Sequence, residues 1–159
     1  MSAKLAMLGV VAAAVTLTSV AAAGPAGSKQ RVEITSNGVL NGTAFGKFVF
    51  TPLQAGALKP DTGTETSDWR EHVLMRDGQD VTVQTYVTTR KGKLGSFVVR
   101  SRMEYVDAGN GYLAGTNIWK FVRGTGQYAK ITGGGRGGDV VDSPRWSDHY
   151  EGFVTTSTG

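Results

Sequence analysis

Hydrophobic and polar side chains alternate along much of the chain after residue 30. Between residues 97 and 105 the two faces are Phe97, Val99, Ser101, Met103 and Tyr105 against Val98, Arg100, Arg102 and Glu104. Earlier, Val81, Val83, Thr85 and Val87 oppose Thr82, Gln84, Tyr86 and Thr88. A period of two is typical of β-strands with one buried and one wet face, and we expect the valines of the second segment on the buried face.

Short β-branched runs separated by glycine-containing turns extend this pattern over the rest of the chain, and ten-residue helical patterns are almost lacking. The pattern predicts eight or nine strands. They are Arg31–Ser36, Ala44–Thr51, Trp69–Arg76, Val81–Thr89, Gly95–Val106, Tyr112–Arg123, Gln127–Thr132, Asp139–Asp142 and Trp146–Thr155.

Three connections between these strands have the chemistry of tight turns. Asn37-Gly38, Asp77-Gly78 and Asn110-Gly111 supply residues that tolerate positive φ, so we predict hairpins and antiparallel neighbours. The segment Leu53–Asp68 differs because it is rich in Gly, Thr, Pro and Asp and shows no period. We expect a long loop there, either disordered or functional, such as a lid over a barrel mouth.

So many antiparallel strands either close into a barrel or split into two packed sheets. Closure removes the exposed edges that template aggregation, and we favour it. The prediction is an all-β fold with one eight-stranded antiparallel barrel over residues 24–159.

The first 23 residues have the pattern of a cleavable signal peptide. Lys4 precedes an apolar run, Leu5–Val20, and three alanines follow before Gly24. An uncleaved membrane anchor is the rival interpretation, but the run is short and interrupted by hydroxyl side chains, whereas a span needs about 20 strongly apolar residues. We therefore predict a secreted protein, extracellular or periplasmic, with no stable membrane span once residues 1–23 are removed.

Composition excludes several classes of function for the mature chain. Without Lys4 there remain 16 basic and 13 acidic residues, with the signs interspersed, and no basic block marks a nucleic-acid surface. Cysteine is absent, which excludes disulfides and thiolate metal sites. The two histidines, His72 and His149, show no metal-ligand spacing, and we predict neither a metal nor a cofactor.

Glycine-rich motifs in the second half resemble a known family. Three segments carry the resemblance. They are Gly124-Thr125-Gly126-Gln127-Tyr128 followed by Gly133-Gly134-Gly135, the hairpin Gly111–Thr116, and the strand start Gly95-Ser96-Phe97-Val98. These segments resemble parts of the dirigent and allene oxide cyclase group of calycin-like barrels, small bacterial members included. The resemblance covers roughly residues 95–153. It implies an eight-stranded barrel with an apolar interior that serves as a binding pocket or as a chiral container for cyclisation, and dimers and trimers are known in the group. It transfers no catalytic residue to this chain.

Other motifs favour structural roles. Gly124–Ala129 matches the dinucleotide-binding fingerprint, but the helix that must follow it is missing. The glycine run 133–138 lacks the end of a phosphate-binding loop; we expect a flexible or bulged crossing between strands, with an anion nest as the alternative. Ser147, Asp148 and His149 are neighbours in a strand and cannot share one face as a triad.

Candidate site residues are few. An enzyme would draw its proton-transfer groups from Glu104, Tyr105, Tyr128 and Asp148, although Glu104 with Arg100 and Arg102 fits a surface ion-pair ladder better. Aromatic side chains at same-face spacing fill a core or line a ligand pocket. These candidates for ligand binding are Phe48, Phe50, Trp119, Phe121 and Tyr150.

The hypothesis that follows is an exported barrel that holds a small hydrophobic molecule without necessarily transforming it. Two alternatives stay open. One is a cyclase or isomerase in which one or two polar residues move protons inside the barrel. The other is a non-catalytic envelope or surface interaction protein whose barrel is a rigid support.

Overall fold

The computed structural model describes Gly27 and residues 29–157, which form one all-β unit. Eight strands, each antiparallel to its neighbours, close into a barrel, as predicted. The predicted signal peptide lies outside the described residues and stays a prediction. The strands are β1 (Lys29–Leu40), β2 (Ala44–Pro52), β3 (Asp61–Arg76), β4 (Gln79–Gly92), β5 (Ser96–Gly109), β6 (Tyr112–Gly124), β7 (Ile131–Asp142) and β8 (Arg145–Thr156).

Each strand pairs with the strands before and after it in the chain, and β1 pairs with β8 to close the ring. One end of the barrel, the hairpin end, carries the connections at residues 41–43, 77–78, 110–111 and 143–144. The opposite end, the loop end, carries residues 53–60, 93–95 and 125–130. A short 3-10 turn, Gly126–Tyr128, lies there. In the part of the chain described, no helix is long and apolar enough to cross a membrane.

Two of the three predicted hairpin turns are confirmed. Asp77 and Asn110 have φ of 53° and 56°, and the glycine after each also has positive φ, which suits the right-handed twist of the flanking strands. The turn predicted at Asn37-Gly38 is wrong, because β1 runs through it to Leu40. Gly38 instead leaves room for an aromatic ring: a Cβ there would lie 2.7 Å from Cζ2 of Trp146.

The loop predicted over residues 53–68 is wrong in its second half, where β3 begins at Asp61. Its inward side chains are polar, including Asp61, Glu65 and Ser67, so the hydrophobic alternation that marks a strand is missing. The remaining loop, residues 53–60, does cover the loop end of the barrel. Leu58 is buried in the core, and its backbone N–H donates to Oε1 of Gln30 over 3.3 Å.

The glycine run 133–138 is part of a continuous strand, which corrects the predicted crossing. β7 spans Ile131–Asp142 and pairs with both β6 and β8. It thus replaces the two predicted strands Gln127–Thr132 and Asp139–Asp142. Glycine is needed where aromatic rings cross the strand, since a Cβ on Gly137 would lie 2.8 Å from Cδ1 of Tyr150.

The faces of β5 are as predicted, with Phe97, Val99, Ser101, Met103 and Tyr105 buried. Those of β4 are as predicted only in part: Val81 and Val83 are buried, but Val87 is 38% exposed, and Thr88 and Arg90 of the opposite face are buried as well. Val83 pairs with His72 and Glu104 on the outer surface of the barrel, although it is fully covered there. Tyr86, Thr88 and Arg90 point inward instead.

The half of the interior nearer the loop end is packed with aromatic rings. Phe97 lies at its centre, with ring centroids 4.5 Å from Tyr128, 5.2 Å from Phe121 and 5.5 Å from Phe48. Such edge-to-face and tilted contacts stabilise a core beyond the area that they bury. Polar side chains are also buried in this half, since Gln30 and Asp61 lie near the loop end, but the buried ion pair and the Asp139–Asp148 pair lie in the middle and towards the hairpin end.

Candidate functional site

A buried ion pair crosses the middle of the barrel. Glu65 of β3 and Arg90 of β4 are directly opposite in register, and their side chains are 2% and 0% exposed. Nε of Arg90 donates to Oε2 of Glu65, and Nη2 donates to Oγ of Ser36 over 3.2 Å. Ser36 in turn donates to Glu65 over 2.9 Å. A charge buried this deeply requires such partners, since an unpaired one would be strongly destabilising.

Arg90 also interacts with a second carboxylate and with two rings. Its Nη2 lies 3.7 Å from Oδ2 of Asp148, and its guanidinium carbon lies 5.1 Å from the ring centroid of Tyr150 and 5.9 Å from that of Phe97. Burial would lower the pKa of Arg90, but the charges of Glu65 and Asp148 outweigh it and raise that pKa. The guanidinium is therefore a permanent positive charge in the interior.

A small pocket lies between this ion pair and the hairpin end. Its volume is about 40 Å³, room for a few water molecules at roughly 10–15 Å³ each. Leu40, Ala44 and Ser147 are among its rim residues. Its walls combine aromatic rings with carboxyl groups: Tyr86, Tyr105, Trp146, Tyr150, Asp139 and Asp148.

The two carboxyl groups face each other across β7 and β8, where Asp139 and Asp148 are direct partners. Burial raises the pKa of Asp139 to about 7, and the negative charge of Asp148 adds to the rise. Burial also raises the pKa of Asp148. The positive charge of Arg90 opposes this rise, and the negative charge of Glu65 adds to it. Two nearby carboxyls away from water resist ionising together, so this pair changes its charge near neutral pH.

Three tyrosines also line the pocket, and the hydroxyl of one of them, Tyr86, donates a hydrogen bond to Oε1 of Gln84. Burial raises the pKa of Tyr86 to about 12, and it raises the pKa values of Tyr105 and Tyr150 well above their ordinary value. These hydroxyls therefore keep their protons at neutral pH. That of Tyr105 has Sδ of Met103 at 3.1 Å, a weak acceptor.

Several buried polar atoms around the pocket have no hydrogen-bond partner among the described residues. Trp146 and Asp148, which line the pocket, contribute Nε1 and Oδ1. The others are Nη1 of Arg90, Oγ of Ser101 and Oδ1 of Asn117. Since each buried polar group left alone costs roughly 1–3 kcal/mol, the protein retains them at a cost to its stability.

The structure brings together two of the four predicted proton-transfer residues, Tyr105 and Asp148. Glu104 lies on the outer face, where it accepts hydrogen bonds from Arg76 over 2.7 Å and from Arg102. These arginines lower its pKa to about 2, so it stays ionised, as the surface interpretation expects. Tyr128 lies near the loop end and donates to Oδ2 of Asp61 over 3.1 Å.

The aromatic residues predicted to bind a ligand divide between the core and the pocket. Phe48, Phe50 and Phe121 pack in the aromatic half of the barrel. Trp119 stacks on Tyr150 with centroids 6.0 Å apart, and Tyr150 reaches the pocket. Ligand binding by these five residues stays a prediction.

Sequence reasoning missed Glu65, Tyr86, Arg90 and Asp139 as site residues. The registers of two hairpins could have identified three of these residues. A two-residue turn at Asp77-Gly78 pairs Glu65 with Arg90, and one at residues 143–144 pairs Asp139 with Asp148. Taking β4 to bury its valines concealed Arg90, and treating residues 61–68 as a loop concealed Glu65.

A second group of titratable residues lies on the outer face of β1 and β8. Nε2 of His149 is 3.3 Å from Oε2 of Glu33 and 3.6 Å from Oε1 of Glu151. The geometry of these three side chains would admit a metal ion. Arg31, however, already forms an ion pair with Glu151 at 2.5 Å, and all these side chains are partly exposed.

No family model matches the chain, and neither a curated protein nor a solved structure matches it. The resemblance to the dirigent and allene oxide cyclase group therefore stays a prediction.

Proposed function

We propose that this domain binds a small polar molecule in the pocket at the hairpin end of the barrel. The observation that carries the proposal is the pair of buried atoms in the pocket wall without partners, Nε1 of Trp146 and Oδ1 of Asp148. One is a donor and the other an acceptor, so a ligand that satisfies both would recover hydrogen-bond energy that the protein forgoes.

The chemistry of the lining supports a polar ligand over the hydrophobic one expected from sequence. Two aspartates and three tyrosines line the pocket together with apolar side chains such as Leu40, Met103 and Val141, whereas aromatic rings packed on one another fill the apolar half of the interior. A volume of about 40 Å³ suits a ligand, or the head group of a ligand, of only a few non-hydrogen atoms. Binding of a larger hydrophobic molecule would require the aromatic half to open.

The test is a titration of the labelled protein with small probes, followed by NMR. Acetamide, ethylene glycol, acetate and methylammonium cover neutral, anionic and cationic polar groups, and a fluorescent apolar dye tests the hydrophobic alternative. We expect at least one polar probe to shift the indole N–H signal of Trp146, assigned with Trp146→Phe. Glu104→Gln, on the outer face, is the matched control and should bind the same probe equally well.

The proposal is wrong if no polar probe shifts that signal while the dye binds with a defined stoichiometry. That result would restore the hydrophobic-ligand hypothesis.

A second candidate is the isomerase or cyclase alternative, favoured by the Asp139 carboxyl with its pKa of about 7. A base with a pKa near the working pH is suited to removing a proton from carbon next to a carbonyl group. Deuterium exchange into acetone in D₂O, followed by NMR, tests this directly. We expect exchange above the buffer rate, rising through pH 7, lost in Asp139→Asn and kept in Glu104→Gln; exchange at the buffer rate would exclude the candidate for this substrate.

We also propose, from the sequence pattern of residues 1–23, that the protein is exported. Intact mass measurement of protein recovered outside the cytoplasm of an expressing bacterium should give a chain that begins at Gly24. A full-length chain retained in the cytoplasm would contradict it.

A further inference from the structure

We propose that the ligand of this pocket carries a protonated amine together with a neutral oxygen acceptor, as a small amino alcohol does. The inference rests on the proposed function and specifies the class of ligand. Three independent features of the pocket lead to it: its charge balance, its aromatic walls and its two orphaned polar atoms.

On the pocket side of the barrel interior, acidic side chains outnumber basic ones. Arg90 is the only buried basic side chain in the described residues. It forms an ion pair with Glu65, and its Nη2 lies 3.7 Å from Oδ2 of Asp148. Asp139 is 6% exposed, and no salt bridge within the described residues reaches it. Once both aspartates ionise, the cluster holds three carboxylates against one guanidinium. Either protons or a cationic ligand must offset the difference.

Every strand that faces Asp139 contributes to this balance. Asp148 is the nearest charge, opposite it on β8, and Asn117 of β6 places Nδ2 3.4 Å from both Asp139 oxygens. The remaining charged or titratable groups around it are Glu65 of β3, Tyr86 and Arg90 of β4, Tyr105 of β5 and Tyr150 of β8. None of these brings a second positive charge.

The walls of the pocket also favour a cation. Tyr86, Tyr105, Trp146 and Tyr150 line the pocket together with the two carboxyls. Tyr86 already stacks on Trp69, and Tyr150 already contacts Trp119 and Arg90. Tyr105 and Trp146 are therefore the rings left for a ligand. The face of an aromatic ring attracts an ammonium group, with Trp the strongest, and desolvation increases the attraction. Carboxylates and rings together form the kind of surface that recognises an amine.

The orphaned atoms specify the second group of the ligand. Oδ1 of Asp148, on a side chain that is 7% exposed, accepts a hydrogen bond and suits an ammonium N–H. Nε1 of Trp146 can only donate, so it requires an oxygen acceptor on the ligand. An ammonium with a hydroxyl group on the next carbon offers both kinds of partner in the few non-hydrogen atoms that a pocket of about 40 Å³ admits.

The test compares ethanolamine with ethylene glycol, its neutral analogue, and with propylamine, which lacks the oxygen. Binding is measured by calorimetry and by the indole N–H signal of Trp146 at pH 6 and pH 8. We expect ethanolamine to bind best, and about tenfold tighter at pH 8, because a carboxyl with a pKa of about 7 is about nine-tenths ionised there and one-tenth at pH 6. Ethanolamine should also lower the pKa of Asp139, followed by its carboxyl ¹³C signal.

Variants separate this inference from the function on which it rests. Asp139→Asn should lose the pH dependence and most of the affinity, whereas Glu104→Gln should match the parent protein. Should ethylene glycol bind as tightly as ethanolamine and shift Trp146, the cationic ligand is wrong and the polar pocket stands. If none of the three probes shifts Trp146, the amine inference fails, and the acetamide and acetate titrations then decide the proposed function. Ethanolamine binding that leaves the Asp139 ¹³C titration unchanged would overturn the cationic inference even if Asp139→Asn did not fold.

Discussion

At the scale of single residues, Arg90 shows how a charged side chain decides the inner face of its strand. Hydrophobicity favours burial of the β4 valines, and Val81 and Val83 are buried, yet by its register with β5 it is Arg90 that faces the barrel interior. Its partners are already there: Glu65 opposite it, Ser36 within hydrogen-bond distance and the ring of Tyr150. An arginine with these partners tolerates burial, and Val83 is covered on the outer face instead.

Asp139 should make stability depend on pH. Its pKa rises from an ordinary value of 3.8 to about 7, so the folded protein keeps a proton that the unfolded chain releases at lower pH. The free energy of unfolding should therefore fall as pH rises from about 4 to about 7 and then level off. Asp148 contributes in the same direction.

Asp139→Asn should flatten that slope and make the protein more stable than the parent at pH 8 by up to roughly 4 kcal/mol, since the pKa rises by about three units and each unit is worth about 1.4 kcal/mol. Urea unfolding at pH 5 and pH 8 measures both values. A slope that is unchanged in the variant would show that Asp139 ionises normally.

At the scale of elements, the hairpin of β3 and β4 is unusual because its buried positions are polar. Asp61, Glu65 and Ser67 of β3 face the interior, and Ser67 and Thr88 of β4 share a hydrogen bond of 2.8 Å between their hydroxyls. Such a strand is held by its ladder and by side-chain hydrogen bonds more than by apolar burial. It therefore lacks the alternation from which strands are predicted.

Glu65→Ala should lower the free energy of unfolding by roughly 3–5 kcal/mol, because it leaves Arg90 buried without its main partner. Arg90→Met should also be destabilising. The double variant should lose less than the sum of the two by roughly 0.5–3 kcal/mol, the range expected for residues in contact. Urea unfolding of the four proteins gives this coupling, and additive losses would mean that the pair does not interact.

Gly115→Ala should distort the wall of the pocket. A Cβ at this position of β6 would lie 2.6 Å from Cδ1 of Tyr105, so the ring must move, at a cost of roughly 1–3 kcal/mol. Gly138→Ala in the neighbouring strand is the matched control, because its Cβ would meet only the backbone oxygen of Gly115, at 3.5 Å. Equal losses of stability in the two variants, measured by thermal unfolding, would exclude a specific role for the contact with Tyr105.

At the scale of the whole molecule, the two ends of the barrel differ. The loop end is filled by Leu58, and the hydrogen bonds between Lys59 and Gln127, 2.9 and 3.1 Å long, tie its loop to the 3-10 turn. The hairpin end holds the polar pocket instead. Apolar packing is therefore concentrated at one end of the barrel, and the proposed binding pocket lies at the other.

Leu58→Ala should lower the free energy of unfolding by roughly 2–5 kcal/mol, as expected for a buried leucine that leaves a cavity. Leu53→Ala in the same loop is the control, since Leu53 is 40% exposed and its truncation should cost less than about 0.5 kcal/mol. Urea unfolding measures both. Similar small effects would indicate that the loop does not close the barrel.

The class of fold, most of the strands and two hairpin turns can be predicted from the amino-acid pattern alone. These features depend on local properties: side-chain alternation within a strand, and turn residues that accept positive φ at Asp77-Gly78 and Asn110-Gly111. Tyr105 and Asp148 were likewise within reach of sequence reasoning as single residues. Their neighbours in the pocket were not.

Three features depend on the tertiary structure: which face of β4 points into the barrel, the strand at residues 61–68 and the continuity of the glycine run in β7. Each of these depends on partners far away in the chain. Barrel closure brings Ser36, Glu65, Arg90 and Asp148 together from four strands. A buried charge is tolerated only where such partners meet, and the local pattern of one strand carries no information about the others.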